Sequence, residues 1–232
     1  MKIFSISILC LVLYSFICNT VNSQTFNEEK EAAEKGIAEA QFNLALMYAK
    51  GQGVNQDFTK AKLWFEKAAA QGLPQAQTCL GTLYAQGQGV KQDFAKAKSW
   101  FEKAATQGFA DAQTCLGTMY AQGQGVKQDF TKAKSWFEKA AAQGERLGKA
   151  QFNLGVLYYE GLGVKQDFAK AKFWFEESAK KGNAEAQYNL GIIYAEGQGV
   201  KQNLAKAKAW LEKAAEKGNP EAQEAIKKFP NN

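Results

Sequence analysis

Apolar residues recur along this chain with the spacing of amphipathic helices. In the segment that starts at Ala38, Ala40, Leu44 and Tyr48 follow an i, i+4, i+8 pattern. This spacing places them on one face of an α-helix. Gly51 and Gly53 come next, and glycine past a helix end favours the left-handed backbone of a tight turn. The pattern therefore predicts a helix that ends near Gly51.

A second amphipathic segment follows this turn. Phe58, Ala61, Phe65 and Ala68 have the i, i+3, i+7, i+10 spacing of a core-facing helix stripe. Asp57 directly precedes them, and aspartate is a preferred N-cap residue that stabilises a helix by about 1 kcal/mol relative to alanine. The same N-cap role is predicted at the matching positions Asp93, Asp129, Asp167 and Asn203.

This helix pair is repeated along the chain. Tryptophan occurs at the same place in each copy, at Trp64, Trp100, Trp136, Trp174 and Trp210, with intervals of 36, 36, 38 and 36 residues. An Ala-Gln dipeptide keeps the same period, with its glutamine at positions 41, 77, 113, 151, 187 and 223. A fixed period of this size is typical of solenoids, in which neighbouring repeats bury one continuous core. We therefore predict an all-α solenoid of antiparallel helix pairs, with five full repeats and terminal half-repeats.

Small departures from the period carry structural information. The 38-residue interval arises from two extra residues between Gly144 and Gln151, which we place in a loop between helices. Gly81 and its equivalents lie in mid-helix, where glycine costs up to about 1 kcal/mol, so a second helix is expected to cross closely there. The Gly-x-Gly near each first-helix end is interpreted as a turn, since no strand precedes it, and no cofactor is expected.

The first residues differ from the repeats. Lys2 precedes an apolar run over residues 3–17, and small residues follow before Gln24, as in a secretory signal peptide. The run is shorter than the roughly 20 residues of a transmembrane helix, so no span is expected after cleavage, although a retained anchor is the alternative. The predicted divisions are a signal peptide (1–23), an N-terminal capping helix (24–37), five repeats (38–218) and a C-terminal capping helix (219–232). The protein is expected to be secreted or periplasmic.

Charge and cysteine content limit the kinds of partner and site that the sequence predicts. The net charge is +6, and the lysines cluster on the second helices among glutamates. A solvated convex face is the simpler interpretation, with an anion-binding surface as the alternative, and no nucleic-acid partner is expected. Cys79 and Cys115 lie at equivalent positions of adjacent repeats, too far apart for a disulfide. The chain has no histidine, so no metal site is expected.

The repeat unit AxAQxxLGxxYxxGxGVxQDxxKAxxWFEKAA resembles the Sel-one-like repeat, a relative of the tetratricopeptide repeat. The match runs from Ala38 to Gln223. The resemblance implies a right-handed superhelix of antiparallel helix pairs with the first helices on the concave side. Members of this family are commonly adaptors for protein complexes, and secreted bacterial members often meet host or envelope proteins. We therefore expect a monomeric adaptor that binds another protein or peptide.

This geometry predicts which residues would line the groove. They lie between the buried positions of the first helices: Phe42, Asn43, Leu46, Thr78, Thr82, Thr114, Thr118, Phe152, Asn153, Val156, Tyr188, Asn189 and Ile192, with Cys79 and Cys115 beside them. An asparagine can bond both a backbone N–H and a C=O of an extended peptide, and aromatic residues would add contact area. The alternative is that Asn43, Asn153 and Asn189 only bond within the chain.

An enzyme has to be weighed because some secreted members of this family have been labelled β-lactamases. Ser178 and Lys181 match the Ser-x-x-Lys motif of serine β-lactamases. The companion motifs Ser-Asp-Asn and Lys-Thr-Gly are absent from the sequence, and no histidine is available for a catalytic triad. The sequence therefore favours a binding protein without enzymatic activity, and no catalytic residue is assigned.

Overall fold

A computed structural model of the chain describes residues 23–143 and 147–227. The predicted signal peptide lies outside these residues except for Ser23, which begins the first helix. The described residues form twelve α-helices and no β-strand, which confirms the predicted all-α solenoid class. The helices are α1 (Ser23–Glu34), α2 (Ala38–Lys50), α3 (Phe58–Ala70), α4 (Pro74–Gln86), α5 (Phe94–Thr106), α6 (Ala110–Gln122), α7 (Phe130–Ala142), α8 (Lys149–Glu160), α9 (Phe168–Lys180), α10 (Ala184–Glu196), α11 (Leu204–Glu216) and α12 (Pro220–Lys227).

The second helix of each repeat begins with the predicted cap. Asp57 has an extended backbone, and its side chain accepts a hydrogen bond of 2.9 Å from the backbone N–H of Lys60. The bond satisfies one of the N–H groups that a helix start leaves without an intrahelical acceptor. The same 2.9 Å bond forms at Asp93, Asp129, Asp167 and Asn203.

The glycines after the first helices shape the turn. Gly51 adopts the left-handed conformation (φ 69°), and its N–H bonds the carbonyl of Met47, which ends α2 as predicted. In the next repeat, a Cβ atom on Gly89 would lie 2.5 Å from the carbonyl carbon of Phe58. The turn of one repeat therefore packs directly on the start of α3 in the preceding repeat, and only glycine fits there.

The glycines in mid-helix mark close crossings, as the sequence predicts. A Cβ atom on Gly81 would lie 2.7 Å from the ring of Phe101, and one on Gly155 would lie 2.5 Å from the ring of Phe175. Both rings are fully buried. Glycine has a low helix propensity, but because it has no side chain, a phenylalanine of the second helix can pack against the backbone of the first.

The structure contains two compact units, and the N-terminal unit comprises the described residues up to Gln128. Its helices α1 to α6 pack consecutively along the chain. A central cluster is built around Phe65, Leu80 and Leu83, while Ala33, Ala40 and Leu44 form a smaller one between α1 and α2. Trp64 packs against both clusters and so lies where the two meet.

The C-terminal unit begins at Asp129 and contains α7 to α12, which also pack consecutively. Its clusters centre on Phe175 and Leu190 and on Leu211. The inserted residues fall between α7 and α8 as predicted, although residues 144–146 lie outside the described part. Helix α8 starts one residue late in its repeat and has 12 residues where the other first helices of full repeats have 13.

Three further observations bear on the expectations from composition. Over residues 23–143 and 147–227, no helix is both long and apolar enough to cross a membrane. In the same residues, no group of three or more acidic or cysteine side chains is arranged to hold a metal ion. The thiols of Cys79 and Cys115 are not joined in a disulfide, in agreement with the spacing argument.

Candidate protein-binding surface

The first helices bury most of the residues predicted to line the groove. Nine of the thirteen are less than a tenth exposed: Phe42, Leu46, Thr78, Thr82, Thr114, Thr118, Asn153, Val156 and Asn189. The physical reason is that α2, α4, α8 and α10 each pack against the helices that precede and follow them, and α6 packs against α5, so positions between the core residues are covered as well. A place for these nine in a partner-binding groove stays a prediction, but they offer a partner little direct contact surface.

The threonines of the N-terminal unit satisfy their hydroxyl groups within their own helices. Thr78 donates to the carbonyl of Pro74 at 2.7 Å, and Thr82 donates to the carbonyl of Thr78 at 3.0 Å. Thr114 and Thr118 make the same bonds one turn back, at 3.0 and 2.9 Å. A hydroxyl bonded to the preceding turn needs no external partner.

Two of the predicted asparagines also bond inside the chain. Asn189 is buried, and its Nδ2 donates to the carbonyl of Glu185 at 2.9 Å. Asn43 is exposed, and its Nδ2 donates to Oε1 of Glu29 on α1 at 3.2 Å. These bonds support the alternative kept open for the asparagines, which is that they act within the fold.

The accessible part of the predicted set lies mainly in the C-terminal unit. Phe152, Tyr188 and Ile192 are half-buried on α8 and α10. The Phe152 ring packs against that of Phe175, with centroids 5.9 Å apart, and Tyr188 packs on the Leu211 cluster. These side chains are held by the core on one side and keep solvent-accessible area on the other. We call Phe152, Tyr188 and Ile192 the aromatic surface.

Acidic side chains lie near the aromatic surface. Burial raises the pKa of the Tyr188 phenol, and the negative charges of Glu221 and Glu196 raise it further. The phenol therefore stays protonated at neutral pH and can donate a hydrogen bond. Glu185 and Glu196 are exposed at the two ends of α10. The surroundings of Tyr188 thus combine an apolar ring with negative charge.

Two glutamines of the N-terminal unit make a recurring set of hydrogen bonds that the sequence analysis missed, and we call this set the glutamine ladder. Nε2 of Gln71 donates to the Gly36 carbonyl at 2.9 Å and to Oε1 of Gln41 at 2.8 Å. One repeat later, Gln107 makes the same pair of bonds to Gly72 and Gln77, at 3.0 and 2.9 Å. The signal was visible as glutamine at positions 71 and 107, where the last two repeats have Lys181 and Lys217.

The lysines of the second helices are largely engaged with neighbouring side chains. Lys62 and Lys134 form ion pairs of 3.0 and 2.8 Å with the glutamates four residues later, and Lys98 and Lys172 pair in the same way. Others stack on aromatic rings, such as Lys67 over Trp64. The second helices therefore carry mixed, internally paired charge, and the solvated convex face stays a prediction.

Ser178 does not present an accessible nucleophile. Its side chain is fully buried, and its Oγ donates to the carbonyl of Gly148 at 2.5 Å. Gly148 is left-handed, and a Cβ atom there would lie 2.8 Å from the carbonyl oxygen of Ser178. The Ser-x-x-Lys match is therefore part of the packing between α8 and α9.

Known proteins share this repeat architecture. The family model for the Sel1 repeat matches residues 38–73, 74–109, 110–145, 148–183 and 184–219. Among curated proteins, none matches the chain. Among solved structures, a Sel1 repeat protein from Oxalobacter formigenes is 34% identical, with a TM-score of 0.79 and 88% of each chain covered.

Two other solved structures show the same repeat fold. The chain is similar to c5321, a protective antigen of uropathogenic Escherichia coli strains, at 38% identity and a TM-score of 0.73, over 88% of this chain and 43% of that protein. A Sel1 repeat protein from Klebsiella pneumoniae is 26% identical, with a TM-score of 0.60 over 87% of this chain and 97% of that one. With five matched repeats and these relatives, the chain belongs to the Sel1 repeat family.

Proposed function

We propose that this chain is a non-enzymatic scaffold that binds a segment of another protein through the aromatic surface, Phe152, Tyr188 and Ile192. Repeat proteins of this fold generally mediate protein–protein interaction, and Sel1 repeat proteins are typically scaffolds. The single observation that carries the choice of surface is the exposure of these apolar side chains at first-helix positions that the middle repeats fill with buried threonine. Tyrosine is among the residue types that are enriched at the hot spots of protein interfaces.

The surroundings of the aromatic surface indicate the chemistry of the partner segment. Glu185, Glu196 and Glu221 lie on α10 and α12, so negative charge accompanies the apolar contact area. Charge complementarity steers association and suppresses partners of the same sign. We therefore propose a segment that carries apolar and basic side chains.

We also propose that the protein is exported. The apolar run over residues 3–17 followed by small residues is the motivation. Mass spectrometry of the exported protein should find an N-terminus near Gln24, and an intact Met1 would argue for a retained anchor.

Affinity capture tests the binding surface. The mature chain is immobilised, and the bound proteins are identified by mass spectrometry beside the double variant Phe152→Thr with Tyr188→Thr. Thr78 and Thr114 occupy this position in other repeats, so the substitutions suit the fold. Truncating two aromatic anchors should weaken capture at least about tenfold, since each contributes on the order of 2 kcal/mol when it is a hot spot.

The matched control removes positive charge from the second helices of two repeats. Lys98→Gln with Lys134→Gln takes away two lysines that pair with Glu102 and Glu138. We expect this variant to capture the partner as the parent does. If the lysine pair abolishes capture and the aromatic pair has no effect, the binding site is the lysine-bearing side of the second helices and not the aromatic surface.

A further inference from the structure

The tryptophans of four repeats are covered by a lysine from the same helix. The ammonium group lies over the indole ring three residues earlier in sequence, at 3.8 to 4.6 Å from the ring centroid. The pairs are Lys67 over Trp64, Lys103 over Trp100, Lys139 over Trp136 and Lys213 over Trp210. At this distance the cation interacts favourably with the negative face of the ring.

The fourth repeat breaks this pattern at two positions. Glu177 occupies the position of the covering lysine, so a carboxylate stands three residues after Trp174. Phe173 occupies a position that is Ser99 or Ser135 in the second and third repeats. The Phe173 side chain is 52% exposed, and its ring meets the Trp174 ring edge to face with centroids 5.1 Å apart.

Among the described residues, one ion pair is found for the Glu177 carboxylate. It pairs with Lys180, three residues later on the same helix, and the Lys180 side chain is 69% exposed. Exposed pairs of this kind contribute little, because water screens them and two long side chains must be ordered. Glu177 can therefore exchange Lys180 for an external cation at small cost.

We propose that Phe173, Trp174 and Glu177 form a second docking site, which takes a lysine or arginine side chain with an apolar neighbour from a partner protein. The cation occupies the face of Trp174 that lysine covers in the other four repeats, and the Glu177 carboxylate neutralises it. Phe173 supplies the apolar contact beside it. Arginine fits best, since its planar guanidinium both stacks on an indole and bonds a carboxylate in a bidentate manner.

This site is independent of the aromatic surface proposed above. It is carried by the second helix of its repeat, α9, whereas the aromatic surface is carried by the first helices α8 and α10. Either site can therefore fail its test without affecting the other.

The test uses the indole N–H signals of the ¹⁵N-labelled mature chain, with Trp174 assigned by Trp174→Phe. The probe is the peptide acetyl-Leu-Arg-Leu-amide, with acetyl-Leu-Glu-Leu-amide for comparison. We expect the arginine peptide to shift the Trp174 signal saturably and the glutamate peptide to leave it in place. Glu177→Lys restores the covering lysine and should weaken binding by about tenfold. Phe173→Ser should weaken it by about threefold.

Two further variants separate the site from general stickiness. Leu63→Ser removes an equally exposed apolar side chain beside a covered tryptophan and should not change binding. Ser135→Phe with Lys139→Glu transplants the site to the third repeat and should make the Trp136 signal respond as well. The proposal is wrong if both peptides shift Trp174 equally or if Glu177→Lys binds like the parent. It is also wrong if sedimentation shows a dimer that Glu177→Lys dissociates, since the occupant would then be a second copy of this chain.

Discussion

In the N-terminal unit, glutamine links the end of a repeat to its start. Gln71 and Gln107 each bond a glutamine side chain of their own repeat and the carbonyl of a glycine, Gly36 or Gly72, two residues before that repeat begins. In the C-terminal unit, Gln143 still occupies this position, and Lys181 and Lys217 replace it in the last two repeats. The Oε1 atoms of Gln113, Gln151 and Gln187 are buried and lack a hydrogen-bond partner within the part of the chain that the structure describes.

The two units also differ at the starts and faces of their first helices. Ile37, Leu73 and Phe109 begin helices of the N-terminal unit without a side-chain cap, whereas Asn183 and Asn219 cap theirs in the C-terminal unit. At one shared first-helix position, the N-terminal unit carries the buried Phe42, Thr78 and Thr114, and the C-terminal unit carries the half-buried Phe152 and Tyr188. The same repeat core therefore carries two kinds of surface, and the surface that we propose for partner binding lies on the C-terminal unit.

The largest effect should come from the shared core. Phe101 and Phe175 are fully buried at the same repeat position in the two units. Replacing either by alanine should lower the free energy of unfolding by about 3–5 kcal/mol, measured by urea denaturation. Replacement by leucine should cost less, because Leu211 occupies this position in the fifth repeat. A cost below about 1 kcal/mol for either alanine variant would show that the two cores are not equivalent.

Removing a glutamine of the ladder should lower the free energy of unfolding more than removing the lysine at the same repeat position in the C-terminal unit. Gln107→Ala removes two hydrogen bonds and leaves the buried Oε1 of Gln77 without its donor, so it should cost about 1–3 kcal/mol in the same measurement. The matched variant Lys217→Ala, at the same repeat position, should cost clearly less. Equal losses would contradict the difference drawn between the two units.

A missing cap can be supplied to the N-terminal unit. The backbone of Ile37 (φ −70°, ψ 117°) matches that of Asn183 (φ −67°, ψ 117°), and the Ile37 side chain is 49% exposed. Ile37→Asn should therefore add a side-chain cap and raise stability by about 0.5–1 kcal/mol, seen as a higher Tm. Asn183→Ala should lower it by a similar amount. A lower Tm for Ile37→Asn would mean that Ile37 packs more than its exposure indicates.

The smallest effect concerns the caps that both units share. A backbone N–H bond holds the pKa of Asp57, Asp129 and Asp167 below the ordinary value of 3.8. The unfolded chain therefore binds protons first, so this stabilisation is present above about pH 4 and is lost as the pH falls through the folded-state pKa values. The triple Asp→Asn variant should keep its caps, as Asn203 does, and lose less Tm between pH 5 and roughly pH 3. An identical loss in both proteins would exclude the caps as the cause.

The sequence predicts the features that repeat and misses those that depend on neighbouring helices. Asp57 as a cap, Gly51 as a helix end and Gly81 as a close crossing follow from local preferences and from their recurrence. The burial of Thr78 and Asn189 could not be predicted, because it depends on how tightly the preceding and following helices cover the first helix. In four repeats the sequence shows a lysine three residues after the tryptophan. Only the structure shows that these lysines lie over the indole rings, which is the contact that Glu177 replaces in the fourth repeat.

The most direct measurement is site-specific photo-crosslinking of the protein in the cells that produce it. Benzoylphenylalanine is placed at Phe152 or Tyr188 of the aromatic surface and, as the matched control, at the equivalent Thr78 or Thr114. We predict that positions 152 and 188 give one discrete adduct with another protein, while positions 78 and 114 give little. Adducts at positions 78 and 114 as abundant as those at 152 and 188, or none at any of the four, would contradict the assignment of partner binding to the aromatic surface.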